Sequence, residues 1–223
     1  MDLLISSFFN LDILEQAWPF LLAGFWMTIK LTLVVVPIGV AGGLAVALLT
    51  TIRSRILKWI VVIYVDFFRA FPPLVLLMFI AFGLPFLKID LGAFGAVAVA
   101  FLLNTSSYYG EIFRAGIESI PRGQYEAARS TGLSAVQTMT YVVIPQATKN
   151  VMPDLVSNTL EVVKLTSIAS VVALPELLYA ARQAQSVTYN ATPIIAAGII
   201  YLVCLWPLVR LLSRFEHRQI ALH

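Results

Sequence analysis

Charge is scarce in this chain, as are cysteine and histidine. Of 223 residues, 12% are charged, one is cysteine and two are histidine, while 60% are hydrophobic. Soluble domains of this length carry about twice that charged fraction, so the composition excludes one and indicates an integral membrane protein. A single cysteine excludes an intrachain disulfide, and Cys204 lies in an apolar run, where it reads as a small packing residue. Neither His217 nor His223 stands at a zinc-ligand spacing, and no Gly-x-Ser-x-Gly sequence is present, which leaves little for an intramembrane enzyme. Nor is there a Gly-rich phosphate loop ending in Gly-Lys-Ser or Gly-Lys-Thr, so the chain has no ATPase site and no bound cofactor is expected. Strand-type alternation is missing as well, and the apolar runs are too long for the strands of a transmembrane barrel.

What is there is long and apolar. About 20 apolar residues cross the hydrocarbon core as a helix, because hydrocarbon offers backbone groups no outside partner. Five such spans are expected, at about residues 18–50, 56–87, 91–117, 151–174 and 193–212, in one transmembrane domain covering residues 1–223. The fold class is all-α integral membrane. The first two spans exceed the needed length and are expected to tilt or bend. Asp2 and Asp12 stand where a signal peptide would carry basic residues, so the first span is expected to be retained.

Basic residues collect on the cytoplasmic side of short loops. Alternating the loops gives one face Arg53, Arg55, Lys58, Arg122, Arg129, Lys149, Arg210, Arg214 and Arg218. The other face receives Lys88 and Arg182 with Asp2, Asp12, Glu15, Asp90 and Glu176. The N-terminus is therefore expected outside and the C-terminus in the cytoplasm. The net charge of +3 is an orientation signal that requires no nucleic-acid partner.

The connection at about residues 118–150 is then cytoplasmic and too long for a bare turn. Pro121 suits the start of a helix, and Gly132 suits the left-handed residue that ends one. Ser134 and Gln137 have the spacing of a capping box opening a second helix, with Ala135, Val136, Met139, Val142 and Val143 along one side. Pro145 is expected to stop it. From these features alone, a hairpin lying on the lipid surface is as good a reading as a docking element.

Glu126-Ala127-Ala128, Gly132, Val142 and Ile144-Pro145 resemble the signature loop of permease subunits in ATP-binding-cassette importers, with Val142 and Ile144 in place of the usual isoleucine and leucine. Asn104, Tyr108, Glu111 to Arg114, Ile120 to Gln124, Gln146 and Lys164 to Ser167 narrow the resemblance to the polar amino acid permeases of the histidine and glutamine type. It covers about residues 20–217. The resemblance implies a five-helix permease of the bacterial cytoplasmic (inner) membrane working by alternating access. Its implied partners are two ATPase subunits that hold ATP and Mg, a second permease copy or sister permease, and an extracytoplasmic substrate-binding protein. A passive channel, or a structural membrane subunit without ATP coupling, is the alternative; neither needs the cytoplasmic loop.

Ionisable groups at membrane depth are costly and face a partner or water. Asp66 and Arg69, Glu111 and Arg114, and Glu161 and Lys164 are each three apart, so each pair shares a helix face and its charges can neutralise each other. At about 1.5 Å per residue, Arg69, Asn104, Glu161 and Lys164 fall near the middle of a core about 30 Å thick. An amino acid zwitterion needs one anionic and one cationic partner. The expected roles are Glu161 for the ammonium, Arg69 or Lys164 for the carboxylate, and Asn104 to orient the ligand. Pro72 and Pro73 after Phe71 remove two amide donors, so the second span is expected to break there and present a half-helix N-terminus to the same layer. Lys30, in the first span, has no evident partner.

Overall fold

A computed structural model describes the backbone of residues 7–220 and the side chains of residues 7–210. Asp2 and His223 lie outside the described residues, as do the side chains of Arg214, His217 and Arg218. The described backbone is helical throughout, without strands.

Helix α1, Leu11–Thr51, starts where the Asn10 side chain accepts hydrogen bonds from the amides of Asp12 and Ile13, with Asp12 placed to complement the helix dipole. Its buried residues, Ala17, Leu21, Gly24, Thr28, Leu31, Val35, Gly39, Gly43 and Ala47, recur every three or four positions and form one stripe. From Leu31 onward that stripe packs on α4, Gly92–Glu118, in the most extensive helix pair among the described residues, while Ala17, Leu21, Gly24 and Thr28 pack on the helical segments that begin at Leu177 and Thr192. The close approach rests on glycine: a Cβ on Gly39 would collide with the Thr105 hydroxyl, and one on Gly43 would sit 2.8 Å from the Gly110 nitrogen. Small residues four apart allow this approach where apolar burial gives helices no net attraction.

Helix α2, Arg55–Ala70, is capped by Ser54 and ends at the double proline. The chain then turns by 101° into α3, Pro73–Met78, which runs on through a π turn and a 3-10 turn to Leu87. The expected break is present. Helix α4 is enclosed by α1, α2, α3 and α8, and carries thirteen buried residues, among them Asn104, Thr105, Ser106, Ser107 and Tyr109.

The connection that follows α4 contains α5, Arg122–Ser130; α6, Ala135–Thr138; a π turn, Met139–Val143; and α7, Ile144–Asn150. Helix α8, Met152–Leu165, continues as a 3-10 turn to Val172. Two further helices follow, α9, Leu177–Thr188, and α10, Thr192–Ile220.

Among the described residues, three helices are long and apolar enough to cross a membrane, or four with the bent α2–α3 pair counted as one span. Helix α4, read from sequence as the third of five spans, is not among them. Its Asn104 to Tyr109 stretch is polar but buried against protein, so this helix needs less apolar surface than one facing lipid.

Helix α9 occupies what reads in sequence as an outer loop, and Glu176 at its head is fully buried. The Glu176 carboxylate accepts from the amides of Leu178 (2.9 Å) and Tyr179 (2.7 Å) and from the Tyr201 hydroxyl (3.1 Å). The Leu177 amide donates to the Thr28 hydroxyl at 3.1 Å, so one polar node fastens α9 to α1 and α10. Burial outweighs these donors and pushes the Glu176 carboxyl above its ordinary value of 4.5. The folded state then holds the proton more tightly than the unfolded chain, so stability falls as pH rises from 4.5 through the raised value. Thermal unfolding of the purified protein is expected to show this loss, and Glu176→Gln, which cannot titrate, is expected to lack it. The same pH dependence in the variant would remove Glu176 as its source.

Candidate functional site

The hairpin between α4 and α8 forms as its local signals require. Pro121 precedes α5, and Ala128 is the one buried residue of that helix. Gly132 adopts φ +89, with its amide on the Arg129 carbonyl (3.1 Å) and the Leu133 amide on that of Ala128 (3.3 Å), which closes the helix end. Ser134 and Gln137 form the capping box reciprocally, at 3.2 and 2.8 Å.

Pro145 does not stop the second helix, contrary to the sequence expectation. Residues 135–150 stay helical because the π turn at Met139–Val143 widens the backbone ahead of the proline ring. The Gln146 side-chain amide donates to the Val142 carbonyl at 2.8 Å and lies 3.3 Å from the Gln124 side chain, which ties α7 back to α5.

The apolar stripe is divided. Val143 is buried and Val142 and Met139 are partly buried, whereas Val136 and Tyr141 are 75% and 70% exposed at the tip. Glu126 is exposed in the middle of α5 and, among the described residues, makes no hydrogen bond or ion pair, so it caps nothing within the hairpin.

The groups expected at membrane depth lie on α2, α4 and α8. Asp66 and Arg69 do not pair despite their spacing. The Arg69 guanidinium lies over the Tyr108 ring, 5.5 Å from its centre, a cation–π contact that replaces the expected ion pair.

The double proline explains the rest of that region. In an unbroken helix, the carbonyls of Phe68 and Arg69 would accept from the amides of residues 72 and 73, which prolines lack. Asn104 donates to the Phe68 carbonyl at 3.1 Å, and the Tyr108 hydroxyl donates to that of Arg69 at 3.3 Å. Two side chains four apart on α4 thus supply the two missing donors. Asn104 is 4% exposed, and its amide bond to the Phe68 carbonyl holds the break.

Glu111 and Arg114 do pair. The guanidinium takes both Glu111 oxygens, at 2.9 and 2.5 Å, and reaches Glu118 at 2.6 Å. Together with Lys58 and Asp66 they line a cleft of about 370 Å³ between α1, α2 and α4.

Helix α8 carries the other group. Asp154, Ser157, Glu161 and Lys164 recur at helical spacing and are all exposed, while Leu155, Leu160 and Val162 are buried. Lys164 pairs with Glu161 at 2.5 Å. Beside this stripe the Asn158 amide nitrogen is buried and, among the described residues, without a partner, and the Tyr109 hydroxyl lies 2.8 Å from that of Thr159. Helix α4, which carries Asn104, packs against both α2, which carries Arg69, and α8, which carries Glu161 and Lys164. Lys30 is exposed and forms no ion pair among the described residues.

The family described as binding-protein-dependent transport system inner membrane component matches residues 39–220. The chain is 32% identical over 198 residues to the probable amino-acid ABC transporter permease protein YckA of Bacillus subtilis (strain 168), covering 88% of this chain and 88% of that protein. It is 37% identical over 187 residues to the arginine transport system permease protein ArtQ of the same organism, covering 83% of this chain and 85% of that protein. Among solved structures it is similar to a chain in the crystal structure of an amino acid ABC transporter with histidines, at TM-score 0.82 and 38% identity, over 92% of this chain and 96% of that one.

Proposed function

This chain belongs to the binding-protein-dependent transport system inner membrane components, and on that premise we propose that it moves a polar amino acid along the exposed face of α8. Its relatives are permease subunits of amino acid ABC importers, and the chain is an inner-membrane permease component. The observation that carries the substrate reading is the stripe of Asp154, Ser157, Glu161 and Lys164. Lipid does not tolerate such a face, so it borders water or a second permease.

The Glu161–Lys164 pair suits a zwitterion by exchange. The substrate ammonium takes over the Glu161 carboxylate, its carboxylate takes over the Lys164 ammonium, and no net charge enters the site. Arg69 and the break at Pro72-Pro73 line a separate stretch of the route, held open by Asn104 and Tyr108.

The motor is external in this reading. Two ATPase subunits holding ATP and Mg seat the hairpin of residues 118–150, with Glu126 to Ala128 and Gly132 at its bend and Val142, Ile144 and Pro145 in its second arm. Their closure tips the spans between outward-open and inward-open states. A second copy or a sister permease completes the pore, and an extracytoplasmic binding protein delivers the amino acid to the outer face. The N-terminus then lies outside and the hairpin in the cytoplasm.

Glu161→Gln keeps the shape and removes the charge that meets the ammonium. In proteoliposomes of the assembled complex, uptake is expected to fall about tenfold or more while the subunits still co-purify. Uptake at the wild-type rate would take Glu161 out of the route.

A further inference from the structure

On the cytoplasmic side, a cleft of about 630 Å³ lies where the ends of α1 and α4 meet the hairpin. Leu48, Ile117, Met139 and Ile144 give it apolar walls, and Arg53 and Arg129 stand among its lining. No carboxylate lines it. Arg53 makes no hydrogen bond or ion pair among the described residues, and it is exposed. Arg129 spends one nitrogen on the Leu133 carbonyl, at 2.8 Å, which orients the guanidinium and leaves its other donors free. Thr138, also in the lining, is 3% exposed, yet its hydroxyl has no partner. A buried hydroxyl left without a partner calls for an occupant.

We propose that this cleft holds an anionic phospholipid of the cytoplasmic leaflet, its phosphate between Arg53 and Arg129 and its acyl chains against Leu48, Ile117 and Met139. Three features point to that occupant. Two guanidiniums without a carboxylate select an anion, and arginine's fork matches phosphate oxygens. The Thr138 hydroxyl adds a neutral donor. The walls are shared between the last turns of two spans, at Leu48, Thr51 and Ile117, and the hairpin, and basic pockets on the cytoplasmic side of helix bundles suit lipid headgroups. A soluble anion would leave the apolar walls wet. The placement rests on the orientation read from the loop charges, and it is independent of which amino acid is carried. The lipid would bridge the membrane and the base of the hairpin, so the strength of coupling would follow the anionic lipid content of the bilayer.

The test uses the assembled complex, delipidated in detergent and titrated with phosphatidylglycerol, bound lipid being read by native mass spectrometry. Two arginines near a membrane surface weight an anionic lipid by roughly thirtyfold, so Arg53→Gln with Arg129→Gln is expected to lose lipid affinity by about that factor. Arg53→Lys with Arg129→Lys is expected to retain most of it, Thr138→Val to weaken it less, and Arg122→Gln, outside the cleft, to leave it at the wild-type level. These conservative variants separate a lost site from a lost fold.

Unchanged lipid retention in the double glutamine variant would overturn the proposal. So would saturation of the same site by glycerol phosphate at equal concentration, which would make it a free-anion site. Loss of the ATPase from that variant with lipid retention intact would assign the cleft to the ATPase instead. Activity in vesicles of phosphatidylethanolamine alone is expected to rise on adding phosphatidylglycerol in the wild type and to stay flat in the double variant.

Discussion

Replacing Gly43 by leucine is expected to prevent this chain from reaching a stable fold, with little monodisperse protein recovered from membranes. The reason lies in what a Cβ at that position meets. Its nearest atoms are the Tyr109 Cβ and the backbone nitrogen of Gly110, the latter at 2.8 Å. Backbone cannot rotate aside, so the two longest contiguous buried surfaces of the molecule must move apart along the α1–α4 seam. Leu31, Val35 and Gly39 on one side, and Thr105, Tyr109 and Gly110 on the other, depend on that seam. Overpacking a tight core costs about 1–3 kcal/mol for a few added methylenes, and more where no neighbour yields. Gly43→Ala is therefore expected to lower the thermal unfolding temperature measurably, and Gly43→Leu to abolish the transition.

Gly198→Ala is the matched control. Nothing lies within 4 Å of a Cβ there, and alanine favours the helix by about 1 kcal/mol, so neutral or slightly raised stability is expected. Equal unfolding temperatures for Gly43→Leu and wild type would mean that the helices do not pack as described.

The seam was open to reading from Gly39 and Gly43, four residues apart, yet span prediction by apolar length passes over such a pattern. Local signals fared better. The break after Phe71, the turn at Gly132 and the capping box of Ser134 and Gln137 depend on residues within a few positions of each other, and each is present. What escaped depends on contacts distant in sequence. Asp66 and Arg69 had the spacing to pair, but Tyr108, 39 positions beyond Arg69, offers the guanidinium its ring. Asn104 had the depth of a ligand group. Only the register of α4 against the broken end of α2 shows that it stands in for the amide that Pro72 lacks. Helix α9 was hidden because its twelve residues are too few to span, and its core contacts, Leu177 and Ala181, have meaning only against α1 and α10. Pro145 sits inside a helix because the π turn before it breaks the regular pitch at which proline ends helices, and that turn has no sequence signature of its own. The charged stripe of α8 was half legible. Glu161 and Lys164 were identified as a pair, while the exposed line they form with Asp154 and Ser157 emerges only once the opposite face is seen to be buried.

Gly132→Asp and Glu126→Lys are expected to leave the spans folded and to strip the complex of its ATPase. At Gly132 a Cβ would meet nothing within 4 Å, so the cost is conformational and arises from φ +89. For a residue with a side chain, the left-handed region costs about 1–2 kcal/mol. The hairpin can relieve that strain by opening its reversal, since Thr131 and Gly132 at the bend are exposed. Opening re-aims α6, and with it the exposed Val136 and Tyr141 at the tip. A shift of 1–2 kcal/mol in the docked geometry corresponds to a factor of about 5–30 in binding. Glu126 acts differently. It is exposed, mid-helix and unpartnered, so charge reversal alters no contact within this chain and its effect is confined to whatever basic group faces it from the partner. The measurement is the amount of ATPase retained on affinity-purified permease, set against the thermal unfolding of the same samples. Unchanged unfolding with ATPase retention reduced about tenfold is the expected pattern for both variants. Full retention in both would detach the hairpin from the motor and leave the lipid-surface reading of residues 118–150 in its place.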